Sequence, residues 1–478
     1  ATALCAGFAF DNQVIILDNP VPRQFTWSHV VSLFSHDYWQ PAATSGLYRP
    51  LTMLSYLLNA WAMSFRFWAA GFVAVNILLH AVNTLLVYFL FRRILSERTP
   101  ALWAAVLFAV HPITTEAVAN IVGRADLLAL LAILSGLLLY IRLGSWTGPR
   151  RLIALLGVAA CTLGGMLTKE SVAILPALMI LYDTFLRSRG LGARWLRGLG
   201  AYCIVLTAVA AGLALRGAVL SAQGPPYIEF LDNPLTVAAP LIARLTACRV
   251  FAAQLLQLFV PWKLSADYSY NAVPLVRWPP SFWPGSAAFF GAALLVALLL
   301  MMVLCHRRRP RLGFCIGAYL LMILPTSNLL LIIGSPRADR FLYVPLVAFC
   351  AAIAALLYGA RGVTAPLARR RAATILMAAV CVLFAARSAA RNLDWASDLT
   401  LWRSAVRAVP KSFKAHQMLA FALYSQTPPD LSGALQEGAR AEAIIARGHL
   451  PLDRQSSGVW QNRGVFEVAA GDRARRTT

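Results

Sequence analysis

The chain has no CxxC pair and no cluster of cysteine with histidine; its eight cysteines (Cys5, Cys161, Cys203, Cys248, Cys305, Cys315, Cys350 and Cys381) stand singly in or beside apolar runs. That spacing excludes a disulfide scaffold and a structural zinc site, and the cysteines read as small core hydrophobes. Acid is scarce as well: 20 Asp and Glu against 43 Lys and Arg, which leaves a formal charge of +23. In a soluble domain such an excess points to nucleic acid. Here the arginines sit in short loops between apolar runs, where they act as topology determinants and attract anionic lipid, so membrane lipids are the expected partner and nucleic acid is not. The chain opens on Ala1 with about ten residues before a polar segment. Neither a signal peptide nor a complete first span is visible there, and an upstream transmembrane helix is expected. The Ala- and Arg-rich usage resembles that of a high-GC bacterium.

What the chain has in abundance is apolar length. Hydrophobic residues make up 59% of it, the mean hydropathy is +0.64, and several runs reach the roughly 18 residues needed to cross a hydrocarbon core of about 30 Å. This is the composition of an all-α polytopic membrane protein.

Basic clusters end the apolar runs at Arg92, Arg93 and Arg98, at Arg142, Arg150 and Arg151, and at Arg187, Arg189, Arg194 and Arg197. Two more follow, at Arg307, Arg308, Arg309 and Arg311, and at Arg361, Arg369, Arg370 and Arg371. The positive-inside rule makes all of these turns cytoplasmic. Crossings are then expected near 68–91, 101–119, 125–142, 152–168, 171–186, 198–216, 286–305, 312–333, 341–360 and 372–390. An inferred first span brings the total to about eleven. By parity, residues 216–285 begin and end outside, so the run 241–260, with Arg244, Arg249, Gln254 and Gln257, is expected to lie along the interface or re-enter. The run 51–65 reads the same way. Residues 1–390 form the membrane domain, and 391–478 a polar segment emerging outside. Within that segment, 411–426 and 432–447 read as two amphipathic helices joined by a Pro-Pro turn. This hairpin resembles a single tetratricopeptide unit, either a docking cap or the start of a longer array.

With sidedness assigned, the ionisable groups on the outer face are Asp11, Asp18, Asp37, Arg49, His111, Glu116, Arg124, Asp126, Lys169, Glu170, Asp267, Arg337, Asp339 and Arg340. Ionisable groups at membrane depth are costly and usually face a cavity or a partner. In HPITTEAVANIVGRADLL (111–128), Glu116, Arg124 and Asp126 can converge on one turn; the plain alternative is an internal ion-pair network. Lys169 and Glu170 lie between two apolar runs with almost no loop, where stabilising a tight turn is the plain alternative. In SPRADRFLYVP (335–345), Arg337 and Arg340 stand at the outer start of a span. Arginine suits bidentate contact with phosphate, and a snorkelling side chain is the alternative. Asp11 is a lone carboxylate whose weight comes from its company. A carboxylate base beside two or three cations is what an enzyme needs to take a sugar from a lipid phosphate: the base activates an acceptor hydroxyl while the cations steady the departing phosphate.

The segments FDNQVIILDNP (10–20), YRPLTMLSYLLN (48–59), NILLHAVN (76–83), HPITTEAVANIVGRADLL, TKES (168–171), DNPLTVAA (232–239), ADYSYNAVPLV (266–276) and ADRFLYVPLVAFC (338–350) occur in this order. Together they resemble the transmembrane and tetratricopeptide-repeat-containing O-mannosyltransferases and their bacterial relatives, over roughly residues 8–425. The resemblance implies a C-type glycosyltransferase fold of about eleven spans, a polyprenyl- or dolichyl-phosphate sugar donor, and transfer to an acceptor outside the cytoplasm. It matches Asp11 to the first acid of a paired acidic motif, the catalytic base, and Glu116 to the acid of the second outer loop. Lys169, Glu170 and Arg340 match positions near the donor phosphate, with Arg124 and Arg337 as further phosphate ligands. Asp126, His111, Arg49, Asp267 and Asp339 are supporting groups. The second acid of the first motif is Asn12 here, Thr114 stands where a histidine is found, and Asp339 replaces the more usual Glu. The lone acid argues against a paired-carboxylate metal site, so no cofactor is expected and a divalent metal is left open.

The expected activity is transfer of a hexose from a polyprenyl-phosphate donor to a hydroxyl of a protein, glycan or lipid, at the periplasmic face of a bacterial inner membrane. A transporter or flippase of lipid-linked sugars is the second reading, although such proteins tend to carry internal repeats and polar groups across the bilayer depth, and this chain has neither. A noncatalytic scaffold is the third, and it would leave Asp11 and Glu116 dispensable.

Overall fold

The computed structural model describes residues 2–187, 191–224, 228–277, 285–358, 367–450, 454 and 457–477, with no side-chain description for 191–197, 285–286, 457 and 472–477. Arg189 and Arg361 of the basic clusters lie outside the described residues, and the side chains of Arg194 and Arg197 are not described. The described residues are mostly helical, without a strand. The helices are α1 (Trp27–Ser35), α2 (Pro50–Ala62), α3 (Ala69–Leu95), α4 (Arg98–Val110), α5 (Thr114–Ala119), α6 (Arg124–Leu143), α7 (Gly148–Met166), α8 (Leu175–Leu186) and α9 (Leu191–Ser221). They continue as α10 (Pro240–Phe259), α11 (Gly285–Arg308), α12 (Pro310–Ile323), α13 (Tyr343–Tyr358), α14 (Leu367–Asp394), α15 (Asp398–Ala408), α16 (Phe413–Tyr424), α17 (Leu431–Arg447) and α18 (Ser457–Thr477).

Among the described residues, 7 helices are long and apolar enough to cross a membrane: α3, α6, α9, α10, α11, α13 and α14, some with a short 3-10 turn attached. The protein is therefore an all-α polytopic membrane protein. The expected crossings at 101–119, 171–186 and 312–333 are shorter as helices. His111-Pro112 ends α4, because the residue before a proline is pushed out of the helical region. The α12 helix stops at Ile323 before Pro325, and an irregular stretch follows as far as Ala338.

Helix α13 is the centre of the bundle. It is apolar all round, and Tyr343, Leu346, Val347, Ala348, Cys350, Ala351 and Ala354 are fully enclosed by α3, α4, α6 and α12. The outer helices instead expose apolar faces, as at Leu304 of α11 (74% exposed) and Val382 of α14 (71%). Such faces are stable only against lipid.

The bundle has two chemically distinct ends. At one, Arg311 donates to the Leu95 carbonyl at 2.9 Å and to Ser96 at 2.9 Å, Arg370 pairs with Glu97, and Arg187 pairs with Asp183 at 2.9 Å. The other end gathers Asp11, Glu116, Asp126, Lys169, Glu170, Asp339 and Arg340. Helix α10 qualifies as a span by length, but both of its ends are fastened at this second end. Arg244 near its start donates to the carbonyls of Asn328 (3.2 Å) and Leu330 (3.1 Å), while Gln257 in its last turn donates to Asp339 at 2.7 Å. It passes α11 closely where Gly291 faces the Cys248 carbonyl.

The C-terminal segment is larger than the expected hairpin. Helices α16 and α17 pack between α15 and α18, with Trp402, Leu419, Leu423, Ala434 and Phe466 between them. Helix α14 runs on past residue 390, and Arg391 ties it to α15 through Asp394 (2.9 Å) and Ser404 (2.8 Å). Phe413, Ala441 and Ile445 pack on Leu231 and Tyr270 of the loops flanking α10, so the segment sits against the acid-bearing end of the bundle.

Candidate active site

At the N-terminus of α13, a 3-10 turn (Asp339–Leu342) points Arg340 toward α5. The Arg340 guanidinium donates to Glu116 Oε1 at 2.6 Å and its backbone N–H donates to Glu116 Oε2 at 2.9 Å. Glu116 is enclosed, with its side chain 2% exposed, whereas Arg340 keeps a quarter of its side chain accessible. Both oxygens of the carboxylate are thus spent on Arg340, one on its guanidinium and one on its backbone N–H. Phe341 lies beneath two cations, with Arg340 and Lys169 each 5.7 Å from its ring centre. That ring brings the 168–171 and 338–350 motifs together.

Lys169 follows the last turn of α7 and donates to Asp126 at 2.5 Å. Asp126 lies in the first turn of α6, where the helix dipole favours a carboxylate. Burial lowers the proton affinity of Lys169, and Asp126 opposes that shift. The next residue, Glu170, points the other way, pairing with Arg49 at 3.4 Å and with Arg216. Burial pushes its carboxyl up, but the two guanidinium groups outweigh that and hold it below the ordinary range. Arg49 sits 5.3 Å from the Tyr38 ring centre and borders a cavity of about 230 Å³ formed with His36, Asp37 and Met53.

Asp11 lies in the bend before a short π-turn (Gln13–Leu17) and is half-buried. Among the described residues no donor meets its carboxylate. Burial pushes its proton affinity up; Arg340 and Lys414 pull it down, and Asp267 and Asp232 add to the rise. Asn12 beside it turns inward, fully buried, and accepts from the Val122 N–H at 3.0 Å. The position of the missing second acid is therefore a strut to the turn after α5 and does not face Asp11's side of the loop. Among the described residues, no three acidic, histidine or cysteine side chains gather closely enough to hold a metal ion.

Other expected site residues lie apart from this cluster. Arg124 was expected to face a phosphate, and the structure corrects this. It is wholly enclosed, and its guanidinium donates to Asn76 (2.8 Å), Asn59 (2.8 Å), the Phe72 carbonyl (2.9 Å) and the Ser55 carbonyl (3.1 Å), 4.8 Å from the Tyr56 ring centre. The fifth N–H is directed at the Ser55 hydroxyl, 3.5 Å away, so no donor remains for a ligand. Arg124→Met should leave several buried acceptors unpaired and cost about 3 kcal/mol or more, read as a fall in the melting temperature of the detergent-solubilised protein. His111 is likewise enclosed, with Nε2 on the Leu258 carbonyl at 2.9 Å and its ring against Phe384, so it fastens the end of α10. Asp339 accepts from Gln257 (2.7 Å), Tyr268 (2.8 Å) and the Ser265 N–H (3.1 Å). Arg337 donates to Gln257 at 2.6 Å and stacks 4.3 Å from the Tyr268 ring centre, and its buried Nε has no partner among the described residues. Asp267 accepts from Ser269 (2.5 Å) and Ser412 (3.1 Å), binding the α10–α11 loop to the C-terminal segment. Asp37 is spent on its own turn, accepting from Trp39, Ser45 and Leu47, and Asp18 accepts from Gln13.

Several residues in this region were not singled out from sequence. Arg216 caps an apolar run just as Arg340 opens one, and that signal was available. Lys414, which pairs with Asp232 at 2.8 Å, gave no such signal, because it lies on an ordinary amphipathic helix far along the chain. Burial works against its charge, but Asp232 and Asp267 hold its proton affinity above the usual lysine range.

This geometry can be set beside known proteins. No family model and no solved structure matches the chain. It is 27% identical over 453 residues to Protein O-mannosyl-transferase TMTC3 of Mus musculus, covering 89% of this chain and 48% of that protein. It is 29% identical over 458 residues to Protein O-mannosyl-transferase TMTC4 of Homo sapiens, covering 86% of this chain and 60% of that protein. With Protein O-mannosyl-transferase TMTC2 of Mus musculus it is 29% identical over 522 residues, covering 94% and 61%. The chain is a homologue of the TMTC O-mannosyl-transferases. The resemblance carried by the order of its motifs is thereby borne out. The chain spans about half to three fifths of the length of those curated relatives.

Proposed function

We propose that the chain is a membrane glycosyltransferase that moves a hexose from a polyprenyl-phosphate donor to a hydroxyl on a protein, at the extracytoplasmic face of a bacterial inner membrane. One observation carries this reading: Asp11, a carboxylate that no donor meets among the described residues, stands at the same end of the bundle as Arg340 and Lys169, cations held in place by buried acids. The names of the relatives support the reaction class, and the arginine-rich turns at the opposite end support the sidedness. In the proposed step, the acceptor oxygen bonds to the anomeric carbon from the face opposite the phosphate as the bond between that carbon and the phosphate oxygen breaks. The configuration inverts. Asp11 takes the hydroxyl proton, and polyprenyl phosphate leaves with the electron pair. Arg340 and Lys169, flanked by Arg49, meet the charge that develops on it. Cationic side chains can supply that stabilisation themselves, so a divalent metal is not needed for the step.

The test is transfer by the purified protein in lipid nanodiscs, with labelled polyprenyl-phosphate hexoses and a secreted-protein extract as acceptor. Label in Ser- or Thr-containing peptides supports the reading, label in lipid or glycan redirects the acceptor, and no transfer with any donor defeats it. The pH profile adds a second expected result. A base works only when deprotonated, so activity should fall as pH drops through the Asp11 pKa. Burial raises that pKa above the ordinary 3.8, against Arg340 and Lys414 and together with Asp267 and Asp232. The acid limb of turnover should therefore lie above the usual carboxylate range, and a profile flat down to about pH 4 would be incompatible with Asp11 as the base.

A further inference from the structure

The loop that carries Asp11 is laid along the chain that leaves α14 and enters α15, nearly four hundred positions later. Asn392 donates to Thr2 at 3.1 Å. The Gly7 N–H donates to the Trp395 carbonyl at 3.0 Å, and the backbones are so close there that a Cβ on Gly7 would lie 2.5 Å from the Ala396 carbonyl oxygen. The Phe10 N–H donates to Asp398 Oδ1 at 2.9 Å, and the Phe10 ring meets Trp402 edge-on with centroids 5.5 Å apart. Trp395 and Trp402 are both fully buried.

Phe10 is the residue that needs this support. Its φ of 61° lies in the left-handed region, which is unfavourable for a residue with a Cβ. Strain of this kind persists only where the surroundings over-determine it, and here a charged hydrogen bond and a ring contact converge on the strained residue. Asp398 is well placed to serve: the Ser397–Thr400 capping box starts α15 without its help, which leaves an Asp398 oxygen for the incoming N–H.

We propose that the α14–α15 segment is the positioning template of the Asp11 loop, with Asp398 and Trp402 holding the turn at Phe10 that presents Asp11 to the cations. The C-terminal helices are then part of how the site is built, in addition to any role in meeting an acceptor. Asp398 and Trp402 act through Asp11 and touch no substrate. The kinetic side of this inference rests on the transferase reading; the positioning itself does not.

The experiment uses the full chain in nanodiscs. Asp398→Ala removes the acceptor for the Phe10 N–H, and Asp398→Asn keeps an oxygen there. Gly7→Ala pries the loop from Ala396 without touching α15, which covers the case in which Asp398→Ala fails to fold. Turnover should fall roughly 10- to 100-fold in Asp398→Ala and Gly7→Ala, as for a misplaced catalytic group. The KM for the donor should hardly change, and Asp398→Asn should recover most of the loss. Independently, Asp11→Cys in a Cys5→Ser background is alkylated with a maleimide and followed by peptide mass spectrometry, and adding Asp398→Ala should change the rate at position 11 severalfold. Unchanged turnover together with an unchanged alkylation rate overturns the proposal, as does a loss that Asp398→Asn shares in full. If the unaltered chain transfers no sugar while alkylation still responds to Asp398→Ala, the template stands and the transferase reading falls.

Discussion

Asp11→Asn is expected to lower sugar transfer by roughly 10²- to 10⁴-fold, the usual worth of a positioned general base, while leaving donor binding and the fold in place. The substitution keeps the shape of the side chain and removes only its basicity. Because no donor meets the carboxylate among the described residues, nothing structural is lost with the charge. Burial already disfavours the ionised form, so the amide should melt at the same temperature as the acid or slightly higher. This combination separates a base from a brace. A brace would lose stability and binding together, whereas a base loses the chemical step alone. Single-turnover transfer with donor in excess, alongside a melting curve, reads both quantities. Transfer by Asp11→Asn within a few-fold of the unaltered chain would remove Asp11 from the mechanism.

That the basic turns and the acid-bearing loops lie at opposite ends of the bundle was legible in one dimension because bilayer physics writes it there. Arginine at Arg92, Arg311 and Arg370 pins one end of the bundle, and an acid or cation at the far end of an apolar run, such as Glu116 or Lys169, is costly enough to carry meaning. Parity asks that both ends of α10 lie on one side; Arg244 and Gln257 both bond to the 328–339 segment, in a helix long and apolar enough to cross. Hydropathy failed where backbone geometry takes over. The apolar letters of 324–338 continue those of α12, but Pro325 and the demands of Asn328, which exchanges bonds with Asn233, Ile333 and Ser335, turn the chain out of the helix. Spacing along the chain also cannot distinguish an arginine facing a cavity from one sealed among asparagines. Arg124 and Arg340 look alike in sequence, and only the placement of Asn59 and Asn76 around the first sets them apart. Contacts across the whole chain, Phe10 to Asp398 above all, leave no periodic trace.

Arg340→Met is expected to damage both stability and turnover, and a second substitution should separate the two. Glu116 is enclosed and pairs with Arg340 at 2.6 Å. Removing the cation leaves a buried carboxylate uncompensated, at a cost of about 3–5 kcal/mol, visible as a large fall in melting temperature. Pairing the change with Glu116→Gln makes both positions neutral, and the residue 340 N–H can still donate to the amide oxygen. Most of the lost stability should return. Turnover should not, because the guanidinium that meets the charge developing on the departing phosphate is still missing. A preorganised charge of this kind is worth roughly 10²- to 10³-fold. Glu116→Gln alone keeps the cation but loosens its hold, so its rate should fall between the unaltered chain and the double variant. The decisive comparison is melting temperature against single-turnover rate across the four proteins. If the double variant regains its rate along with its melting temperature, Arg340 serves only to satisfy Glu116, and the stabilising charge must come from Lys169 and Arg49.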